Sequence, residues 1–284
     1  MFENVKQGWE LGKQVRKLVF SDHDLVLYPI LSAIVVFAEM LVIFASFFLL
    51  APFSYSAGPG PVYVIALFIF YLVSTFTSTY ILVALLLAFR AYAAGHKISM
   101  GEAFSQTFQY AKLILEWAIF FSIVLLIIRL IEQRLGMIGR LIFGLVAGIA
   151  IGVATIFVVP VIIDNRVGPI KAIKLSAEFF VRNFGKTFGG FVYSDLYNLM
   201  FILSGIALIV VGAIATIASL ILGAAVVIFG FVLVVFGMVM NFLTINVFKL
   251  ILYEYINGKG LPKGIDESLI KNVVKKGRNA PQAQ

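Results

Sequence analysis

The fold is decided by residues 196–248, LYNLMFILSGIALIVVGAIATIASLILGAAVVIFGFVLVVFGMVMNFLTINVF, a stretch of 53 residues without a charge. Asp195 precedes this stretch and Lys249 follows it. As one helix it would be roughly 80 Å long, whereas the hydrocarbon core of a bilayer is about 30 Å thick. We therefore predict two membrane-spanning helices with a turn near residues 212–219, where small and polar residues interrupt the bulky ones.

Four other apolar runs are long enough to cross a bilayer, which takes about 20 residues of helix. They are Leu25–Leu50, Pro61–Phe89, Leu113–Leu130 and Leu141–Ile163. Together the six runs predict an all-α, polytopic membrane helix bundle with six transmembrane helices.

The composition is that of a membrane protein. Of the 284 residues, 62% are hydrophobic and 13% are charged, against roughly 45–50% and about 25% in soluble domains. This excludes a soluble enzyme, a disordered chain and a nucleic-acid-binding domain, although the net charge is +8. The chain has no Cys, and its two His residues, His23 and His96, are far apart in sequence, so we expect no metal site and no cofactor.

The basic residues predict the orientation, because Lys and Arg concentrate on the cytoplasmic side of a membrane. If both termini are cytoplasmic, 19 of the 22 Lys and Arg residues lie inside. The three on the outer side are Arg129, Arg134 and Arg140. We therefore expect a multi-pass protein of the cell membrane, plasma or inner, with both termini inside.

Amphipathic helices are predicted at three places on the cytoplasmic side, each leading into a pair of spans. In the first, Leu11, Val15 and Leu18 form the apolar face, and Trp9 lies on the basic face. The second begins with a capping box, in which Ser and Glu side chains three residues apart each bond the other's backbone N–H. Its residues are Ser99 and Glu102, followed by Phe104 and Phe108 on one face.

The third amphipathic helix begins at Pro169, a residue suited to the first helical turn. It has an apolar stripe and a charged stripe. The apolar stripe is Ile170, Ile173, Ala177, Phe180 and Phe184, and the charged stripe is Lys171, Lys174, Glu178 and Arg182. Such helices lie in the headgroup plane or pack as caps on the helix bundle. For the third helix we favour the headgroup plane, and for the other two both positions stay open. The expected interfacial anchors are Trp9, Lys171, Lys174 and Arg182.

These helices divide the chain into three similar parts, each an interfacial helix followed by a transmembrane hairpin. The parts are residues 1–98, 99–168 and 169–284 of one membrane domain. They share one orientation, so we predict a parallel pseudo-repeat, unlike the inverted repeats of many transporters.

Small residues recur at helical spacing and predict where spans pack closely, because they let helix backbones approach each other. The fourth span carries such a row, and the fifth and sixth spans carry one each. The rows are Gly144, Gly148 and Gly152; Asn198, Gly205, Gly212 and Ser219; and Gly223, Gly230, Gly237 and Thr244. We predict that the rows of spans five and six pack against each other, with a homo-oligomer seam or a hinge as the alternatives.

Glu39 is the candidate functional residue inside the bilayer, about 21 Å along the first span and beyond the midplane. An ionisable side chain is costly there and marks a candidate functional site. Other polar groups are available to it from the second and third spans. They are the hydroxyls of Ser74, Thr75, Thr77 and Ser78, and the guanidinium of Arg129. We interpret Glu39 as a structural carboxyl, protonated or hydrogen-bonded, with an ion pair to Arg129 or a proton or cation site as alternatives.

Polar residues also occur in the inner half of the sixth span and at the ends of spans four and five. In the sixth span, Asn241, Thr244 and Asn246 predict hydrogen bonds between helices, with a polar cavity as the alternative. Asp164, beside Arg166, and Asp195 lie near the inner interface. We interpret both carboxylates as interfacial anchors.

The C-terminal segment has its own apolar face, formed by Ile265, Leu269 and Val273. Acidic residues begin the segment and lysines end it, which suits the dipole of a helix. It lies near anionic lipid or in solvent, and we favour lipid.

Three stretches of the chain carry a resemblance to a known family. They are Gly8-Trp9 with Ser21–Leu27 and Pro29; Val158–Val161 with Gly168-Pro169, Ala172, Lys174, Ser176 and Gly185; and Leu252-Tyr253 with Tyr255, Gly258, Pro262, Gly264 and Asp266. These motifs resemble an uncharacterised family of six-span prokaryotic membrane proteins, domain of unknown function 6159. The chain departs from the family pattern at Phe184, where Trp is favoured. The resemblance covers nearly the whole chain and implies a plan loosely similar to the membrane domains of some glycerophosphodiester phosphodiesterases. The family has no established activity, so it implies no catalytic residues.

The leading functional hypothesis is a non-enzymatic membrane protein that organises the bilayer or partner proteins through its interfacial helices and basic inner surface. Its expected partners are membrane lipids, anionic on the cytoplasmic side, and a protein partner or a second copy, without nucleic acid. The alternative is transport of a small solute, ion or lipid that uses Glu39 and the second-span hydroxyls, with Asn241 and Asn246. A membrane enzyme is the third hypothesis.

Overall fold

The computed structural model describes the backbone of residues 2–50, 61–184 and 188–273, and the side chains of residues 10–42, 45, 61, 63–181 and 198–270. Within these ranges every regular element is a helix. The helices are α1 (Phe2–Phe20), α2 (Asp24–Leu50), α3 (Pro61–Ala93), α4 (Met100–Phe108), α5 (Ala111–Arg134), α6 (Met137–Thr155), α7 (Val158–Asn165), α8 (Pro169–Phe184), α9 (Phe188–Ala215), α10 (Leu220–Ile256) and α11 (Glu267–Val273).

Six helical segments of the described chain are long and apolar enough to cross a membrane. They are Asp24–Val42, Tyr63–Ala93, Ala111–Arg134, Met137–Asn165, Asn198–Ala215 and Leu220–Ile256. This confirms the predicted six-span, all-α architecture. The positions of the termini inside the cell stay a prediction from the basic residues.

The 53-residue uncharged stretch turns back on itself within the predicted range. Helix α9 ends at Ala215, and α10 begins at Leu220. The Ser219 hydroxyl accepts a hydrogen bond from the backbone N–H of Leu222 at 3.5 Å and so caps the new helix. A short side chain with an oxygen is what a helix N-terminus requires, and this explains why the chain turns here.

The fourth span is one apolar run in the sequence but two helices in the structure, α6 and α7. Pro160 has no N–H to bond the carbonyl of Ile156, and its ring crowds that carbonyl. The helix is interrupted at Ile156 and Phe157. The Phe157 N–H donates instead to the hydroxyl of Ser176 in α8, at 3.0 Å. The predicted span over Leu141–Ile163 is therefore confirmed as the membrane-crossing segment Met137–Asn165. The structure adds that this segment consists of two helices, because Pro160 interrupts the backbone hydrogen bonds between them.

The chain divides into two compact units, and the first comprises Met1–Pro29 and Asn183–Gln284. In it α9 and α10 pack along their length, and α1 contacts α9, α10 and α11. The α1 side chains Leu11, Val15 and Val19 are fully buried. The backbone N–H of Asp266 donates to the Gln14 side-chain oxygen at 2.8 Å. Helix α1 is therefore a protein-covered cap, the alternative to an interfacial position.

The same contact places the C-terminal segment. Helix α11 packs on α1, and the buried side chains there are Ile265 and Ile270. The expected apolar face included Leu269, which is half-buried; Val273 lies outside the described side chains. The described part of this segment thus packs on protein, and its position near anionic lipid stays a prediction.

The second unit is Ile30–Arg182, and α3 is at its centre. Helix α3 contacts α4, α5 and α7, and its C-terminal half is buried through Val83, Leu85 and Phe89. The predicted cap of α4 is present on one side, since the Glu102 N–H donates to Ser99 Oγ at 3.2 Å.

The two phenylalanines of α4 have different surroundings. Phe104 stacks on Tyr80 with ring centroids 6.0 Å apart, whereas Phe108 is 74% exposed. The buried residues of α4 are Ala103 and Thr107. The helix is therefore attached to α3 by Phe104, and Phe108 is left uncovered.

The three predicted pseudo-repeats follow chain order, whereas the compact units join the N-terminal helix to the last two spans. The repeats describe similarity of sequence pattern, whereas the compact units describe which helices contact each other. The pseudo-repeat stays a prediction.

Candidate functional site

Glu39 is hydrogen-bonded across two helices of the second unit. Its carboxyl oxygen Oε2 accepts from the hydroxyl of Ser74 in α3, with the two oxygens 2.5 Å apart. The other oxygen, Oε1, is buried and has no hydrogen-bond partner. The bond links α2 to α3, and the remaining lone pairs of Oε1 are free to accept a donor or to bind a cation.

The other residues predicted around Glu39 are arranged differently. Thr75, Thr77 and Ser78 are half-buried in the same turns of α3, but the hydroxyl that reaches Glu39 is that of Ser74. Arg129 pairs within its own helix, with Nη1 3.4 Å from Glu132 Oε2. Among the alternatives for Glu39, the described contacts therefore match the hydrogen-bonded carboxyl, and they leave the cation site open.

The glycine rows of spans five and six meet in the first unit. A Cβ atom on Gly230 would lie 2.7 Å from the carbonyl oxygen of Gly205 and 2.8 Å from the nitrogen of Ile209. A Cβ on Gly223 would lie 2.4 Å from the nitrogen of Thr216. Real Cβ atoms do not approach backbone this closely, so only glycine fits. Backbone atoms also lie within 3 Å of a Cβ placed on Gly205 or Gly212, whereas a Cβ on Gly237 would meet the Ile202 side chain at 2.8 Å. We call the contact formed by Gly205, Gly212, Gly223, Gly230 and Gly237 the glycine seam.

The row on the fourth span has open surroundings in the described part of the chain. A Cβ on Gly148 or Gly152 would meet nothing within 4 Å, and one on Gly144 would lie 3.2 Å from a Glu132 side-chain oxygen. Helix α6 has no buried residue in the described chain. Its glycines therefore do not form a close contact of the kind seen in the seam.

A polar cluster continues the seam at the end of α9 and α10 opposite to their connecting turn, which we call the inner end because it is predicted to be cytoplasmic. The Asn198 amide nitrogen donates to Asn241 Oδ1 at 3.4 Å. Asn246 bonds its own helix, donating to the Phe242 carbonyl at 2.8 Å. Thr244 is completely buried. Asn241 is thus a link between helices, whereas Asn246 is not, and both lie in the other unit from Glu39.

Helix α8 has three faces where two were predicted. One face packs on the protein through Ala172 and Ser176, which are fully buried. A second face leaves Ile170 73% and Val181 71% exposed. Lys171 and Lys174 are exposed beside it. The side chains of the other two predicted anchors, Trp9 and Arg182, lie outside the described residues.

The C-terminal ends of α3 and α7 are joined by an ion pair that was not predicted from the sequence. The Arg90 guanidinium bonds both Asp164 oxygens, at 2.8 and 3.2 Å. The predicted neighbour of Asp164, Arg166, ends α7 in a left-handed conformation with φ 49° and donates to Gln109 Oε1 at 2.7 Å. The available signal was the opposite charge of Arg90 and Asp164, which both lie at predicted cytoplasmic ends of spans. The Asp195 side chain is not among those described.

Among the residues that the structure describes, no group of three or more His, Asp and Glu side chains is arranged to hold a metal ion.

Comparison with known proteins places the chain in a family. The sequence profile of a family of unknown function, DUF6159, matches residues 61–260, from the start of α3 to just beyond α10. The chain belongs to this family. The match confirms the resemblance drawn from the sequence motifs, and it covers more than two thirds of the chain. It includes Ser74, α8 and the glycine seam, whereas Glu39 precedes it. No curated protein and no solved structure matches the chain.

Proposed function

We propose that this protein is a non-enzymatic, multi-pass protein of the cell membrane that organises lipids and partner proteins at the inner surface. The observation that carries the proposal is the exposure pattern of α8. Its apolar residues Ile170 and Val181 remain uncovered while the neighbouring face is fixed to the protein through Ser176. A helix with an uncovered apolar stripe beside exposed lysines suits the boundary between headgroups and acyl chains.

The position of α8 in the chain supports the same role. It follows the fourth span and precedes the fifth, so it lies at a membrane surface. The distribution of Lys and Arg predicts that this surface is the inner one. Attachment through Ala172 and Ser176 holds the orientation of the helix, so that Ile170 and Val181 are presented outward. The protein thereby presents a fixed lipid-binding surface.

The charge beside this stripe favours anionic lipid. Lys171 and Lys174 are exposed one turn apart. A basic residue near an anionic surface contributes about 1 kcal/mol to binding, so the pair together corresponds to about 30-fold in affinity.

The test uses full-length protein in vesicles of phosphatidylcholine and fluorescent phosphatidylglycerol. Wild-type protein should concentrate the anionic lipid around itself, which is measured as self-quenching. The double variant Lys171→Gln with Lys174→Gln should lose most of this effect. The matched control, Lys13→Gln with Lys263→Gln, removes the same charge elsewhere and should retain it. Equal quenching with and without protein would contradict the proposal.

A second candidate function is transport of a proton or small cation, and it is favoured by the buried Oε1 of Glu39. This oxygen has no hydrogen-bond partner, although Oε2 is held by Ser74 at 2.5 Å. An ionisable side chain inside a membrane span commonly marks an ion or proton pathway. The test measures the flux of H⁺, Na⁺ and K⁺ into protein-containing vesicles with ion-sensitive dyes.

Transport through this site requires that Glu39→Gln abolish the flux of one of these ions. Glu102→Gln, a change at the surface of α4, should leave the flux unchanged. Flux that is the same in wild type and Glu39→Gln would remove Glu39 from the pathway.

A further inference from the structure

Two buried polar atoms remain without a hydrogen bond beyond the inner end of the glycine seam. Asn198 is 1% exposed, and its oxygen Oδ1 has no partner. Thr244 is 0% exposed, and its hydroxyl Oγ1 has none. Buried polar groups are nearly always hydrogen-bonded, to protein or to ordered water. A pair of such atoms therefore requires an explanation.

Both atoms belong to the same interface between α9 and α10. The two helices run antiparallel, so that Gly230 faces Gly205 and Gly237 faces Ile202 farther inward. Continuing inward, Asn241 meets Asn198. Thr244 follows Asn241 by three residues and so lies on the same face of α10, one turn farther in. The cluster therefore extends the seam toward its inner end.

Rotating the Asn198 amide does not remove the unsatisfied group. Its nitrogen now donates to Asn241 Oδ1 at 3.4 Å. Exchanging the nitrogen and oxygen would set two oxygens against each other unless Asn241 rotated too. In each arrangement one buried atom of the Asn198 amide lacks a partner.

We propose that the inner end of the α9–α10 interface binds one ordered water molecule between Asn198 and Thr244. The water donates a hydrogen bond to Asn198 Oδ1 and exchanges a second one with Thr244 Oγ1. This site lies in the first unit and is independent of the lipid surface on α8. Helices α9 and α10 are then held together in two ways, by direct backbone packing at the glycines and by a water-mediated link beyond them.

The number and type of ligands favour water over a metal cation. A buried water is held by about two to four hydrogen-bonding partners, and the cluster offers this number in Asn198, Asn241 and Thr244. Ca²⁺ and Mg²⁺ take six or more oxygen ligands, usually with carboxylates among them. The described side chains of the cluster are neutral amides and a hydroxyl.

The direct test is a structure of the full-length protein in lipid nanodiscs at a resolution that shows ordered waters. Density should lie about 2.7–3.0 Å from both Asn198 Oδ1 and Thr244 Oγ1, and it should vanish in Thr244→Val. A direct hydrogen bond between the two side chains, or a dry interface, would overturn the proposal.

Thermal unfolding provides an independent measurement. Thr244→Val and Asn198→Leu should each lower the midpoint by about 2–4 °C, because each leaves the other partner unsatisfied. The double variant should lose no more than the worse single variant, since it removes both polar groups. As a matched control, Asn246→Leu should combine additively with Thr244→Val, because Asn246 bonds its own helix.

Two results of the unfolding experiment contradict a water site. Additive losses in the Asn198 and Thr244 double variant would mean that the two groups share no ligand. A midpoint that rises with Na⁺ or K⁺ concentration in wild type, but not in Thr244→Val, would assign the site to a cation.

Discussion

Glycines recur as regularly on α6 as on α9 and α10, yet they are tightly packed only between α9 and α10 in the described chain. In the glycine seam, a Cβ on Gly230 would lie 2.7 Å from a backbone oxygen of the facing helix. On α6, a Cβ on Gly148 would meet nothing within 4 Å in the described chain. The difference shows that regularly spaced glycines on one helix are not sufficient for close packing against another helix.

The glycine seam differs from α6 because the neighbouring span carries a second row of glycines. Helices α9 and α10 are joined by a four-residue turn, so they run antiparallel and adjacent. Gly205 and Gly230 then face each other, each at the other's backbone. The helix that precedes α6 in the chain, α5, has no glycine, and α6 has no buried residue in the described chain.

The largest effect is expected from Gly230→Ala in the seam. The new methyl group must displace Gly205 and Ile209 backbone atoms that lie within 3 Å of it, so the helices have to separate. Overpacking of this kind costs about 1–3 kcal/mol. The apparent unfolding midpoint in detergent should fall by roughly 2–10 °C. A midpoint equal to that of the wild type would mean that the seam is looser than the structure indicates.

The seam was predictable because both of its rows and the turn between them are visible in one stretch of sequence. The six spans were predictable for a similar reason, since length and a low content of charged residues are properties of consecutive residues. The break in the fourth span depends on Ser176, a residue in the next helix, which receives the Phe157 N–H. The sequence shows Pro160, which indicates a break, but it does not show that Ser176 accepts the Phe157 N–H.

The second prediction concerns this break, which ends α6 at Thr155. Ser176→Ala removes the acceptor of the buried Phe157 N–H without adding bulk. An unsatisfied buried donor costs about 1–3 kcal/mol, so the midpoint should fall, though less than in the worst seam variants. Ser176→Thr keeps the hydroxyl and is the matched control. Equal losses in both variants would point to packing at residue 176 instead of the hydrogen bond.

The third prediction is that the same substitution, glycine to alanine, does not destabilise the protein when it is made on α6. Gly148→Ala adds the same methyl group on α6, where nothing lies within 4 Å of it in the described chain. Alanine is favoured over glycine inside helices by up to about 1 kcal/mol. The midpoint should stay unchanged or rise by a few degrees. A loss as large as that of Gly230→Ala would show that Gly148 is packed against another surface in the membrane.

The polar residues were harder to place from sequence than the apolar ones. Glu39 was identified because a carboxyl inside a span is conspicuous, and Ser74 was among its expected neighbours. Arg129 was at a plausible depth, but a closer carboxylate on its own helix, Glu132, pairs with it. Asp164, beside Arg166 in the sequence, was interpreted as an interfacial anchor, whereas Arg90 from another span binds it. Side-chain pairing depends on which helices are adjacent, and hydropathy does not contain that information.

The smallest effect is expected at the cap of the first unit, where Asp266 precedes α11. Hydrogen bonds from the Ser268 hydroxyl and N–H hold the pKa of the Asp266 carboxyl below its ordinary value. The charged form is therefore favoured in the folded protein. Its contribution to stability is fully present above the pKa of the unfolded chain, near 4, and is lost as the pH falls below that value.

Because Asp266 is fully exposed, its effect on global unfolding is small and is best seen as a difference between two proteins. The unfolding midpoint should decrease slightly more in wild type than in Asp266→Asn between pH 6 and pH 3. Asparagine also caps helices, so the variant should match the wild type at the lower pH, where the carboxyl is neutral. A variant with the same pH dependence as the wild type would mean that Asp266 does not hold α11 through its charge. In that case the hydrogen bond from the Asp266 backbone N–H to Gln14, at 2.8 Å, would hold α11 against α1 independently of pH.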